Sequence, residues 1–248
     1  DRTRVGPEEL VELRLAPPPH PVIQSVVNSA SLQPDISPGA MVSIFGSNLF
    51  VRTESVPYDD TGVLPKAVPS ALNGNAGDTR VEFNGIAAPL LYVSPTQIKA
   101  IVPYALAGQQ TADVVVTSYG SRSAAVTVPI LDTSPAILPL NGTGNGQGAI
   151  FNYPPPGVYV PNTAENPAPK GSVIVMYATG FGGYDLPVED GAINFTILNP
   201  TCTLPALVAP ECRRLAREPI ALTIGGKPAR IYYAGPIPYS AYSVIQIT

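Results

Sequence analysis

The chain reads as an all-β protein in which an extended N-terminal strand precedes two tandem β-sandwiches, and three observations predict it. The first is composition: 30 Pro and 22 Gly against two Met and no Trp favour short strands joined by turns over long helices. The second is a series of short β-branched runs set between turn signals. The third is internal duplication. Ser37-Pro38-Gly39-Ala40-Met41-Val42-Ser43-Ile44-Phe45-Gly46, then Val81 to Val93, then Gln97-Ile98 return as Pro169-Lys170-Gly171-Ser172-Val173-Ile174-Val175-Met176-Tyr177, then Leu222 to Ala234, then Gln246-Ile247. A length of 248 residues accommodates two units, each large enough to bury a core.

Residues 1–20 lie outside the repeat. Val11-Glu12-Leu13-Arg14-Leu15 alternates apolar and charged residues, the two-residue period of a half-buried strand. A helix over residues 8–13 competes with that reading locally, and Pro17-Pro18-Pro19 follows as a stiff extended spacer. The first sandwich is expected over 21–134, with strands near 22–27, 40–45, 80–83, 87–93, 97–102, 112–118 and 124–131. Seven short strands with turn signals between them suit a sandwich. The polar stretch from Val51 to Gly77 is expected to cross one end as a loop. The second sandwich is expected over 135–248, with strands near 149–151, 171–177, 219–224, 229–234 and 243–247. So short a linker predicts a semi-rigid rod.

Bulk properties exclude several classes of function. With 13% charged residues, a net charge of -4 and one His, the surface offers nothing to a phosphate backbone, and no nucleic-acid partner is expected. No apolar run approaches the roughly 18 residues of a membrane span. Asp1-Arg2-Thr3-Arg4 does not open a signal peptide, so the sequence is expected to be the mature form of an extracellular or cell-surface protein. Cys202 and Cys212 read as a local disulfide in an oxidising compartment. Two unpaired thiols are the competing reading. A zinc site lacks further His or Cys ligands nearby.

No constellation points to catalysis, a cofactor or a metal. His20, held between Pro19 and Pro21, has neither a nucleophile nor an acid beside it. Asn141 to Gly148 is rich in glycine, but Tyr153-Pro154-Pro155-Pro156 follows instead of the helix that a phosphate loop requires. Asp59-Asp60 with Glu54 and Asp78, and Asp185 with Glu189 and Asp190, lack calcium-loop spacing and read as solvated acidic loops. Twelve tyrosines, with Tyr232, Tyr233, Tyr239 and Tyr242 crowded late in the chain, suit sandwich packing, sugar stacking or a protein interface. Asn141-Gly142-Thr143 and Asn194-Phe195-Thr196 fit the N-glycosylation pattern.

Several ordered motifs carry a resemblance: Val26-Val27-Asn28-Ser29-Ala30-Ser31, Val42-Ser43-Ile44-Phe45-Gly46-Ser47-Asn48-Leu49, Leu91-Tyr92-Val93-Ser94-Pro95-Thr96-Gln97-Ile98, Gly144-Asn145-Gly146-Gln147-Gly148-Ala149-Ile150 and Tyr177-Ala178-Thr179-Gly180-Phe181-Gly182. Over about residues 22–248 the chain resembles the repeated C-terminal module of secreted acidobacterial proteins such as those of Solibacter, which is similar to the IPT/TIG branch of immunoglobulin-like folds. The resemblance implies tandem immunoglobulin-like sandwiches and brings no catalytic or ligand-binding residue with it. The Cys202 to Cys212 insertion departs from the pattern.

The second copy reads as one hairpin short, because the first continues beyond its Gln97-Ile98 for two more strands. An unfinished sandwich leaves backbone unpaired, and Ile224, Ile231, Tyr233 and Ile245 are expected to stand partly exposed as an acceptor. Val11, Leu13 and Leu15 are the matching donor strand for a neighbouring copy. The expected function is therefore a non-catalytic subunit of a surface filament, a homopolymer joined head to tail. A monomeric adhesive or carbohydrate-binding module that contacts surface glycans is the alternative. One strand does not replace a whole hairpin. Either the pair is only partly needed, the N-terminal segment contributes more than one pairing, or the second sandwich is cut short of its natural end.

Overall fold

The computed structural model describes residues 20–59, 62–72, 75–142, 144–153, 160–184, 188–192, 216–236 and 243–247. The expected donor residues Val11, Leu13 and Leu15, and the cysteines Cys202 and Cys212, lie outside the described residues. The fold is all-β, and its helical content among the described residues is a single 3-10 turn at Tyr104–Leu106.

The N-terminal half carries β1 (Val22–Asn28), β2 (Met41–Ser47), β3 (Glu54–Ser55), β4 (Val68–Leu72), β5 (Asn75–Phe83), β6 (Ile86–Ala87), β7 (Leu90–Val93), β8 (Gln97–Ile101), β9 (Thr111–Ser118), β10 (Ser121–Arg122) and β11 (Val126–Pro129). They form two antiparallel sheets, one ordered β1-β2-β8-β7-β3 and the other β10-β9-β5-β4, with β11 beside β9 and β6 beside β5. Alternation puts Val42, Ile44, Ile98, Ala100, Leu90 and Val93 of one sheet into a common core with Val81, Phe83, Val114 and Val116 of the other. Strands β3 and β4 fall in the stretch from Val51 to Gly77, where the sequence points to a loop. Pro69 disguises β4, and proline is tolerated there because β4 is an edge strand.

The C-terminal half carries β12 (Ala136–Ile137), β13 (Ile150–Asn152), β14 (Val160–Pro161), β15 (Ile174–Thr179), β16 (Thr223–Ile224), β17 (Lys227–Pro228), β18 (Ile231–Pro236) and β19 (Ser243–Ile247). One sheet runs β14-β13-β15-β19-β18 with β12 beside β15, and β16 and β17 form a separate hairpin. Met176, Ala178, Phe181, Ala234, Ile245 and Ile247 make its core.

The two halves share a plan. β15-β19-β18 repeats the order β2-β8-β7, and both β7–β8 and β18–β19 carry a bulge, at Leu90/Tyr92 and Ile231/Tyr233. The pairings correct the sequence alignment of the last strand. Val93 and Ile44 pair with Ile98, whereas Ala234 and Met176 pair with Ile245. Ile245, not Ile247, therefore stands where Ile98 stands. A two-residue slip keeps the same face inward, which is why the Gln-Ile pair misleads.

Candidate functional site

The repeated hairpin is where the two halves are most alike and most different. Phe83 pairs with Ile86 and Glu82 with Ala87, while Ile224 pairs with Lys227 and Thr223 with Pro228. Both turns, Asn84-Gly85 and Gly225-Gly226, hold positive φ at each central residue, the mirror-type turn that matches strand twist and that Asn-Gly and Gly-Gly favour. Past the turn, Ala88 N–H donates to the Val81 carbonyl at 2.8 Å and Ala229 N–H to the Leu222 carbonyl at 2.9 Å. Equivalence thus holds residue by residue, yet Phe83 is 0% exposed and Ile224 is 52% exposed.

The difference comes from what lies across the hairpin. In the N-terminal sandwich β9 pairs along β5, with Phe83 opposite Val114, Glu82 opposite Val115 and Val81 opposite Val116. β11 pairs with β9, one strand further out. In the C-terminal unit β16 pairs, among the described residues, with β17 alone. Ile220, Leu222, Ala229 and Ile231 pack on the core but are only partly buried, where their equivalents Thr79, Val81, Ala88 and Leu90 are fully buried. This edge, unpaired beyond β17 among the described residues and floored by apolar side chains, is the candidate site.

The structure redistributes the residues expected to form it. Ile224 is exposed and Ile231 half-buried, but Tyr233 and Ile245 are buried. Ile245 lies on a central strand, paired on both sides. The bulge between Ile231 and Tyr233 reverses the alternation, so Tyr233 joins Val175 and Tyr177 on the opposite face. Its hydroxyl donates to the Pro236 carbonyl at 2.6 Å. Leu222 and Ile220 belong to the floor and escaped the sequence reading. Their signal was available, since residues 220, 222 and 224 alternate as apolar positions.

A second arrangement joins the two halves. Asn28, buried at the end of β1, accepts from Ala30 N–H through Oδ1 at 2.9 Å and donates from Nδ2 to the Ser134 carbonyl at 2.9 Å. The Ser134 hydroxyl donates to Ser37 Oγ at 3.0 Å, Ser134 N–H to the Gly180 carbonyl at 2.8 Å, and Met41 N–H to Thr179 Oγ1 at 2.7 Å. Gly180 has φ +81°, and a Cβ there would stand 2.0 Å from the Ser134 carbonyl oxygen. Only glycine combines that backbone with that approach. On the other flank Leu64 N–H donates to the Gly191 carbonyl at 2.7 Å and Tyr104 N–H to Asp190 Oδ1 at 2.6 Å. Leu32 lies against Gly144, which gives the glycine-rich segment a packing role. Hydrogen bonds thus join the two halves on two sides.

Among the described residues, three clefts lie along this seam. One of about 320 Å³ is lined by Met41, Lys99, Leu138, Phe151 and Tyr177, among others. Another, of about 290 Å³, includes Tyr104, Asp132, Tyr184 and Arg217. The third, of about 580 Å³, brings Asp59 together with Glu189 and Asp190, so the two acidic stretches of the sequence meet. Asp59 and Asp190 already accept backbone N–H groups, from Val63 and Tyr104. Among the described residues no three His, Cys, Asp or Glu side chains gather in a way that could hold a metal ion. His20 is exposed, and its carbonyl accepts from Asn48 Nδ2 at 3.1 Å. The Arg52 guanidinium is held above its ordinary pKa by hydrogen bonding to Glu54, and the Glu165 carboxyl below its own by its backbone N–H and the Thr163 hydroxyl. Both groups are exposed and line none of these clefts.

Comparison with known proteins agrees with the geometry of the first half. Residues 21–130 match the model of the IPT/TIG domain, which gives this segment an immunoglobulin-like fold of a class that is typically non-catalytic. No curated protein matches the chain.

Proposed function

We propose that the protein is a non-catalytic extracellular structural module, akin to the secreted acidobacterial proteins that its motifs resemble, and that copies join head to tail by strand donation. The segment bearing Val11, Leu13 and Leu15 in one copy adds to the open edge of the C-terminal unit in the next. Main-chain hydrogen bonds and apolar pockets act together in such an addition, and a contact that does not close on itself extends into a fibre. One observation carries the reading: Phe83 and Ile224 hold equivalent places in equivalent hairpins, one wholly covered and the other 52% exposed. Apolar surface of that kind on a preformed edge marks an interaction site.

Removing residues 1–16 tests this directly. Negative-stain microscopy and sedimentation of the intact chain are expected to show polymers that vanish on truncation. A monomer of the same size with and without the segment overturns the proposal. A second reading, an adhesive module that binds glycans, draws on the cleft where Phe151 and Tyr177 meet edge to face at 5.4 Å near Lys99. Sugars stack on such rings. A blank glycan array on the monomeric truncated protein would remove it.

A further inference from the structure

We propose a specific seat and register for the incoming strand: it takes the place that β9 takes in the N-terminal sandwich, antiparallel to β16, with Val11 opposite Ile224, Leu13 opposite Leu222 and Leu15 opposite Ile220. The inference rests on the strand-donation reading and fixes what that reading leaves free.

β9 supplies the template. Its residues Val114 and Val116 face Phe83 and Val81, and both valines point inward, fully buried. One step further along, the inward pair is polar: Thr79 and Ser118, both buried, share a hydrogen bond of 3.0 Å between their hydroxyls. Carried across the repeat, these three inward positions of β5 become Ile224, Leu222 and Ile220. The change from Thr79 to Ile220 is informative, since a buried hydroxyl opposite isoleucine would lose its partner. The strand that seats here must be apolar at all three inward positions. Val11-Glu12-Leu13-Arg14-Leu15 is apolar at those three and charged at the two that turn outward.

The ends agree as well. β9 stops at Ser118, the position that Leu15 would take, and beyond it the donor reaches Pro17-Pro18-Pro19, which cannot donate to a ladder. A slip of two residues in one direction would bring Pro17 into the ladder opposite Ile220, and in the other would set Glu9 opposite Ile224 and leave that residue uncovered. A single strand suffices, because β9 is the strand that pairs with β5 along this edge, whereas β11 reaches it only through β9.

Cysteine pairs in the full-length chain read the register. This pairing sets Glu12 opposite Thr223, so a Glu12→Cys chain mixed with a Thr223→Cys chain is expected to give a covalent dimer on mild oxidation, with peptide mass spectrometry joining those two sites. Arg14→Cys mixed with Thr223→Cys is the slipped control and is expected to stay unlinked. If the Arg14 pair links instead, the register is overturned while donation stands. If neither pair links although polymers form and still require residues 1–16, the strand seats elsewhere and this inference fails alone. If no polymer forms with or without those residues, the donation reading fails and takes this inference with it.

Discussion

Truncating Phe83 and Ile224 to alanine in parallel measures what covers each half of the molecule. The two residues occupy the same place in the same hairpin, so intrinsic β-propensity and turn chemistry largely cancel between them. Phe83 is wholly enclosed, and removal of a buried phenylalanine side chain costs about 3–5 kcal/mol through lost transfer energy and the cavity left behind. Ile224 is 52% exposed. Full burial of an isoleucine is worth about 1.5–3 kcal/mol, so about half of that, near 1 kcal/mol, is at stake in an isolated chain. The assay is urea unfolding of the monomeric variant that lacks residues 1–16, followed by tyrosine fluorescence and circular dichroism. Phe83→Ala is expected to lower the midpoint several times further than Ile224→Ala. Equal losses at the two positions would refute the reasoning, for they would mean that Ile224 is already under cover. Within polymers the missing half of the Ile224 burial should reappear, as a lower polymer stability for Ile224→Ala than the monomer measurement predicts.

Three further outcomes follow from the seam and the insertion. Gly180→Ala adds a Cβ 2.0 Å from the Ser134 carbonyl at φ +81°, strain on the order of 1–3 kcal/mol. It is expected to open the seam, read as a larger radius of gyration in small-angle scattering with the core signal of the N-terminal sandwich retained. Thr179→Val removes the acceptor of the Met41 N–H and leaves a buried donor unpaired, a loss of about 1–3 kcal/mol in thermal unfolding, whereas Thr179→Ser keeps the bond and most of the stability. Cys202 and Cys212, outside the described residues, are proposed to be disulfide-bonded. Neither should react with a thiol reagent under denaturing conditions until a reductant is added, and immediate labelling of both would contradict the pairing.

Much of the strand pattern was legible in the sequence because it rests on local physics. The β-branched runs behind β1, β2, β8, β9 and β15 and the turn residues of both hairpins announce themselves within a few positions. The seam did not, since Asn28 and Ser134 lie 106 positions apart, and each alone reads as an ordinary turn residue. Its buried polar atoms become meaningful only once they are seen to satisfy one another. The candidate site was half legible. Ile224 and Ile231 are among the four residues expected to stand partly exposed, but strict alternation places Ile231 and Tyr233 on one face, and the bulge between them sends them to opposite faces.

That one hairpin keeps its register, its mirror-type turn and its closing hydrogen bond both under full cover and in the open has an energetic consequence. The cover is not what shapes the hairpin. Turn chemistry and the packing of Leu222, Ala229 and Ile231 on the C-terminal core suffice, so the open edge is organised before any strand arrives. On the proposed reading, the ordering cost of association then falls on the donor segment, and the run Pro17-Pro18-Pro19 lowers it on that side, because proline restricts the conformations open to the free chain. Replacing those three prolines by glycines should therefore weaken polymers without touching any apolar contact, by raising the entropy that the donor loses on seating. Unchanged polymer stability after that replacement would locate the association energy outside the N-terminal segment.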